Sequence, residues 1–147
     1  MAASQANIGY GGRVFVETSA SPTQSPPDYH ELDEITTMTG PNFQTDDVDV
    51  SHMQSPNRTR EFVPGMIDPG EASFEMNWIP GSTTDAIILA LKRDGTIVSW
   101  KMQWYNATTW EFTGYVKGYE TGTSVEDKNS ATVTIRVSGD IATSYVI

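Results

Sequence analysis

Along most of this chain short runs of alternating apolar and polar residues follow one another, and only one segment switches to helical spacing. Val14 and Val16 alternate with Arg13, Phe15 and Glu17, which predicts a first strand. Ile35 to Thr39 predicts a second, and Asp47 to Ser51 places Val48 and Val50 on one face of a third. Gly40-Pro41 falls between them and interrupts pairing, because proline supplies no ladder donor. Ala72, Phe74, Met76 and Trp78 then alternate with Ser73, Glu75 and Asn77. Val98, Trp100, Met102 and Trp104 alternate with Ser99, Lys101 and Gln103, and Asn106 to Thr109 turn that run into Trp110, Phe112 and Val116. After a polar loop from Gly118 to Ser130, Val133, Ile135 and Val137 face one way, with Thr132, Thr134 and Arg136 facing the other. Ala142 to Ile147 is expected to add a short terminal strand.

The helical segment follows Pro80. Ser82 serves as N-cap with Asp85 three positions on, and Ile87, Ile88 and Leu91 form an apolar stripe. Lys92 and Arg93 suit the negative end of the macrodipole, and Asp94-Gly95 stops the helix. One helix against many short strands predicts a mostly β fold, an antiparallel β-sandwich or open barrel with one flanking α-helix. Such a sheet has edges, which pairing with a further copy removes.

Two stretches do not follow the strand period. Ser19 to Pro27 reads as an exposed loop rich in proline and serine. Met53 to Glu71, punctuated by Pro56, Pro64, Gly65, Pro69 and Gly70, is too long for an ordinary hairpin connection and reads as a polar arm. Within it Met53, Arg58, Arg60, Glu61, Phe62, Met66 and Asp68 combine exposed apolar anchors with charge, which is interface chemistry. Ser51 to Gly70 and the first dozen residues are expected to be mobile in a free subunit.

Composition narrows the function classes. The chain has 147 residues, enough for a single domain with one core, and 37% hydrophobic content argues against wholesale disorder. It has no cysteine, so disulfides and thiolate metal sites are excluded. No apolar run approaches the length of a membrane helix, and the N-terminus lacks the pattern of a secretory signal, so synthesis as a soluble protein in a cytoplasm is expected. The net charge is −10, and between Val14 and Asn57 there is no Lys or Arg at all, which opposes tight nucleic-acid binding.

Candidate chemistry is sparse. His52 near Asp46, Asp47 and Asp49 suggests a metal site, but the EF-hand glycine and terminal glutamate are missing and no second histidine is near, so a hydrogen-bonding role is expected. Trp78, Trp100, Trp104 and Trp110 would suit a sugar-stacking platform, yet the first three fall on the apolar phase of their strands and are expected in the core. Neither a nucleophile elbow nor a phosphate loop is present, and neither an enzyme nor a cofactor is expected.

The ordered segments EITTMTGP (Glu34 to Pro41), DDVDVSHMQSP (Asp46 to Pro56) and REFVPGMIDPGEASFEMNW (Arg60 to Trp78), with the later FTGYV and ATVTIRVSG, are similar to the major tail tube proteins of long-tailed, lambda-type bacteriophages. The resemblance implies a structural virion protein that forms stacked hexameric rings, the tube through which viral DNA is delivered. It implies assembly in the host bacterial cytoplasm and location in the virion tail. The partners it implies are further copies, tape measure, tail terminator and distal tail proteins, and passing DNA that is not bound specifically. An additional immunoglobulin-like domain, as some members append, is not expected, nor is decoration of the outer tube. The arm, residues 52–71, and the N-terminal segment, residues 1–12, would then link subunits. Asp47, Asp49, Glu75, Lys101, Gln103 and Thr113 are candidates for a lumen or outer strand face, and alternation alone does not choose between the two. A tube protein of a contractile tail or a type VI-like system is the nearest alternative, and an acidic carbohydrate-binding sandwich a distant one.

Overall fold

The computed structural model describes residues 4, 9–17 and 29–144. The loop expected at Ser19 to Pro27, most of the N-terminal segment and the last three residues lie outside these.

Seven antiparallel strands form one sheet in the order β2-β1-β7-β8-β9-β6-β3, from β1 (Arg13–Glu17), β2 (Tyr29–Glu31), β3 (Ile35–Thr39), β6 (Glu71–Asn77), β7 (Val98–Gln103), β8 (Thr109–Gly122) and β9 (Ser130–Ser144). Although β2 and β3 end the strand order, β3 passes close to β1, so the sheet curls into an open barrel. Register shifts within β8–β9, between Glu111 and Thr113 and again between Val116 and Gly118, supply the bulges that increase such curvature.

The alternation dictates the core. Val14 and Val16 meet Met102 and Trp100 across β1–β7, and Phe74 meets Val133 across β6–β9. All six are essentially inaccessible to solvent. At roughly 25 cal/mol per Å² of apolar area this shared burial is the main stabilising term, and a one-residue slip in any of these strands would turn it outward.

The helix α1 (Thr83–Asp94) forms where the caps require it. Ser82 Oγ accepts the amide of Asp85 at 3.2 Å, and Gly95, at φ 65°, donates its amide to Leu91 at 3.0 Å. Ile88 is fully buried under the helix, which lies against β8.

Several expectations are revised. The arm is not a free loop: Phe62–Asp68 is strand β5, paired with β4 (Gln44–Asp49) as a separate two-stranded sheet, and Glu71 already belongs to β6. The projecting element is therefore a hairpin, and alternation broken by Pro64, Gly65 and Pro69 hid its second strand. Proline is tolerated because a two-stranded ribbon leaves one side of each strand unpaired. Asp47 and Asp49 consequently lie on this hairpin rather than on the main sheet. The loop expected from Gly118 shrinks to residues 123–129, and Ala142 to Ser144 of the expected terminal strand are the end of β9, its last three residues lying outside the described ones. Trp100 is fully buried, but Trp78 and Trp104 are only partly so.

Candidate assembly surfaces

Three features of the fold are candidate assembly surfaces, and the first is the hairpin. Its root is fixed. Phe43 packs edge-on against Trp110 at 5.8 Å, and Trp110 against Trp104 at 5.1 Å. Arg136 holds Asp68 at 3.1 Å, and Val137 donates its amide to the carbonyl of Gly70 at 3.1 Å. The Gly70 amide bonds the Asp68 carboxylate at 2.9 Å, which is the main reason that this carboxyl lies below its ordinary pKa. Asp68 thus anchors the hairpin within its own subunit. Gly70 itself adopts φ 72° against the Asn42 carbonyl, a position with no room for a Cβ.

The tip is also organised. Asp49 accepts the Ser51 amide at 2.9 Å, which lowers its pKa, and Ser51 Oγ accepts the Glu61 amide at 2.7 Å. Ser55 Oγ donates to Glu61 at 2.8 Å, and His52 Nε2 lies 3.4 Å from the same carboxylate. Since His52 Nδ1 accepts the Gln54 amide at 3.1 Å, its hydrogen-bonding role stands, and no cluster suited to a metal exists among the described residues. The free arm expected between Ser51 and Gly70 is thus internally bonded at both ends. Beyond this network Arg58 and Arg60 project with no ion pair among the described residues, beside the exposed Met53.

Between root and tip the ribbon has two faces. Pairing places Asp49 with Phe62, Asp47 with Pro64 and Thr45 with Ile67 on one face, and Val48 with Val63 on the other. A register shift inserts Gly65 and Met66 as a bulge, so Met66 (84% exposed) stands apart from Phe62 (53% exposed) and the two expected anchors do not form one patch.

The second feature is the pair of sheet edges. β2 and β3 each pair on one side only among the described strands, which leaves ladder groups available. The third is the polar outer face of the main sheet. It carries Glu75 (β6), Lys101 and Gln103 (β7) and Thr113 (β8), so these four share one surface while Asp47 and Asp49 do not. Lys101 Nζ lies 5.0 Å from the Phe15 ring and 5.4 Å from that of Tyr29, Thr113 donates to Ser138 at 2.6 Å, and Lys117 pairs with Glu71. The Tyr29 hydroxyl is pushed up by burial and by Glu111 and Glu17. A cluster that the alternation could not show joins helix to sheet: Asp85 accepts from Tyr119 at 2.6 Å, Trp78 Nε1 at 3.0 Å and the Gly81 amide at 3.1 Å. Only its capping position was legible from sequence.

No curated protein sequence matches the chain. Solved structures match its fold. The anti-feeding prophage baseplate, six-fold symmetrised, contains a chain with TM-score 0.73 at 11% identity, covering 96% of this chain and 97% of that one. The tail of an empty gene transfer agent particle, refined with C6 symmetry, gives 0.68 at 12%, covering 90% and 96%. The SPP1 tail tube gives 0.65 at 12%, covering 92% and 77%. The model of the lambda phage tail tube protein family matches residues 13–144, which takes in every strand, the helix and the hairpin, and the chain therefore belongs to the lambda phage tail tube protein family.

Proposed function

We propose that this chain assembles with itself into stacked hexameric rings that form the tail tube of a long-tailed phage, and that viral DNA is delivered through them. The observation that carries this reading is a single sheet with two open edges, β2 at one end and β3 at the other, beside a hairpin fixed at its root and projecting from the domain. Two open edges contributed by different strands suit head-to-tail pairing, which closes into a ring when the rotation closes. The six-fold symmetry reported for the baseplate and gene transfer agent structures supports six as the number. The hairpin then reaches the next ring.

The charge supports passage without capture. At −10 per subunit each ring repels DNA, whose own charge is about one per 1.7 Å of axis, so a conduit with few free cations lets it slide. Tape measure, tail terminator and distal tail proteins complete the partner set in this reading, and assembly takes place in the host bacterial cytoplasm. Two neighbours are extracellular contractile injection systems, so a contractile tube remains the second reading.

Negative-stain electron microscopy of the concentrated protein, alongside size-exclusion chromatography, tests the proposal. Hollow tubes or stacked rings of uniform diameter are the expected result. A monodisperse monomer at every concentration, even with an added tail-tip initiator, contradicts it.

A further inference from the structure

The flanking helix is apolar on both sides. Its inner stripe, Thr84, Ile88 and Leu91, faces the sheet, and Ile88 is fully buried. On the opposite face Ala86, Leu89 and Ala90 lead to Arg93 at i, i+3, i+4 and i+7, and all four are exposed. Leu89 is 38% exposed and Ile97, just past the C-cap, 53% exposed. This face carries no charge until Lys92 and Arg93 at its C-terminal end. Neither of these cations has an ion pair among the described residues, and with Asp94 the end of the helix is net +1, on a chain of net −10.

Among the described residues the hairpin offers a surface of complementary character. The hairpin face of Asp47, Asp49, Phe62 and Ile67 is exposed, mixes two carboxylates with two large apolar side chains, and is held rigid at root and tip. We infer that the outer face of α1, with Ile97, Lys92 and Arg93, is the receptor for the Asp47/Asp49/Phe62/Ile67 face of the hairpin from a second copy of this chain. The inference rests on the self-assembly reading and specifies which surfaces meet.

Charge gives the reason for this pairing over others. Subunits of net −10 repel as they approach, so a contact between them needs attraction at short range from the few cations not already paired internally. Arg13, Lys117 and Arg136 are paired at home and Lys101 lies over two aromatic rings, while of the cations without an ion pair among the described residues Arg58 and Arg60 belong to the connection at the hairpin tip and Lys128 to the loop at 123–129. Lys92 and Arg93 stand beside apolar side chains that need covering, as Asp47 and Asp49 do on the hairpin. Leu89 and Ile97 would meet Phe62 and Ile67, which flank Asp47 along the hairpin face and so alternate apolar contact with charge.

The test is a charge exchange read by sedimentation and electron microscopy of the full chain. Lys92→Glu with Arg93→Glu places four carboxylates in opposition and should reduce sedimentable tubes by about tenfold or more, and Asp47→Lys with Asp49→Lys should do the same. All of these positions are exposed, so circular dichroism and a wild-type elution volume should confirm folded subunits. Combining the four changes should restore tubes to within about threefold of wild type. Tubes unaffected by the helix reversal, which would leave that face to some other partner, overturn the inference. So does a combined variant no better than the worse of its parents. A wild-type chain that forms neither rings nor tubes instead overturns the self-assembly reading, a result distinct from tubes indifferent to the helix charges.

Discussion

Gly114 shows how closely the backbone approaches itself in the centre of this sheet. A Cβ built there would overlap the carbonyl oxygen of Arg136 and lie 2.9 Å from Ile135 Cγ2, while the carbonyl of Gly114 accepts the indole N–H of the fully buried Trp100 at 3.2 Å. A methyl group at this position must push β9 away from β8 or displace the tryptophan, and neither strand has a free side on which to yield, since β7 and β6 flank them. Gly114→Ala is expected to cost about 1–3 kcal/mol, the usual range for overpacking a close contact. Urea denaturation followed by tryptophan fluorescence measures it, and an unchanged midpoint would show that the backbone relaxes freely. Gly81 is a useful contrast, because its φ of 79° disfavours a side chain but nothing lies within 4 Å. The need for glycine at 114 was not legible in FTGYV, because it arises from register against β9 rather than from any neighbour in sequence.

At the scale of elements the helix is pinned to the sheet through one carboxylate. Ser82 and Asp85 form half of a capping box: the serine accepts the Asp85 amide, but Asp85 turns to Tyr119 of β8, Trp78 at the end of β6 and the Gly81 amide. These donors hold the Asp85 carboxyl below its ordinary pKa, Tyr119 first among them, and burial together with Asp85 pushes the Tyr119 hydroxyl up. Because the folded carboxyl is the stronger acid, its stabilisation is complete above the unfolded pKa of about 4 and disappears as pH falls through the lower folded value. Asp85→Ala should therefore cost about 1–3 kcal/mol at pH 7, and the gap to wild type should narrow in acid. Equal losses at pH 7 and in acid would mean that packing alone carries the effect. The strands with clean alternation, the helix and its caps were legible because each rests on local periodicity or on cap chemistry within one turn, whereas β2, three residues inside an acidic stretch, carries no such signal. The hairpin was half legible, since β4 alternates cleanly in Asp47 to Val50 while β5 carries a proline and a bulge. The contacts that hold its root were not legible at all, because they come from Arg136, Val137 and Trp110, distant in sequence. Of the candidate surfaces, composition exposed the acidity and the arm residues, but the division of Asp47 and Asp49 from Glu75, Lys101, Gln103 and Thr113 required the fold.

For the whole molecule two electrostatic effects of opposite sign act on assembly, and their ranges decide which salt governs. Net repulsion between subunits of −10 acts over tens of ångströms at low ionic strength, where the Debye length is about 30 Å at 0.01 M. At 0.15 M that length falls to about 8 Å, which removes most of the repulsion between approaching subunits. Ion pairs at a formed contact lie within about 4 Å and are partly shielded from solvent, so the same change weakens them much less. Ladder bonds between strand edges and apolar burial on the helix and hairpin are almost indifferent to this range of salt. Polymerisation should therefore rise as salt is raised from about 0.01 M to 0.15 M, and the gain should come mainly in the rate at which tubes start and grow, because long-range charge acts on encounter. Light scattering after a salt jump, with the polymer fraction measured by sedimentation, checks this. A polymer fraction that falls steadily over the same range would mean that attraction between opposite charges, rather than burial and strand pairing, holds the assembly together. The charge-exchanged helix and hairpin would then be the first place to look for that attraction.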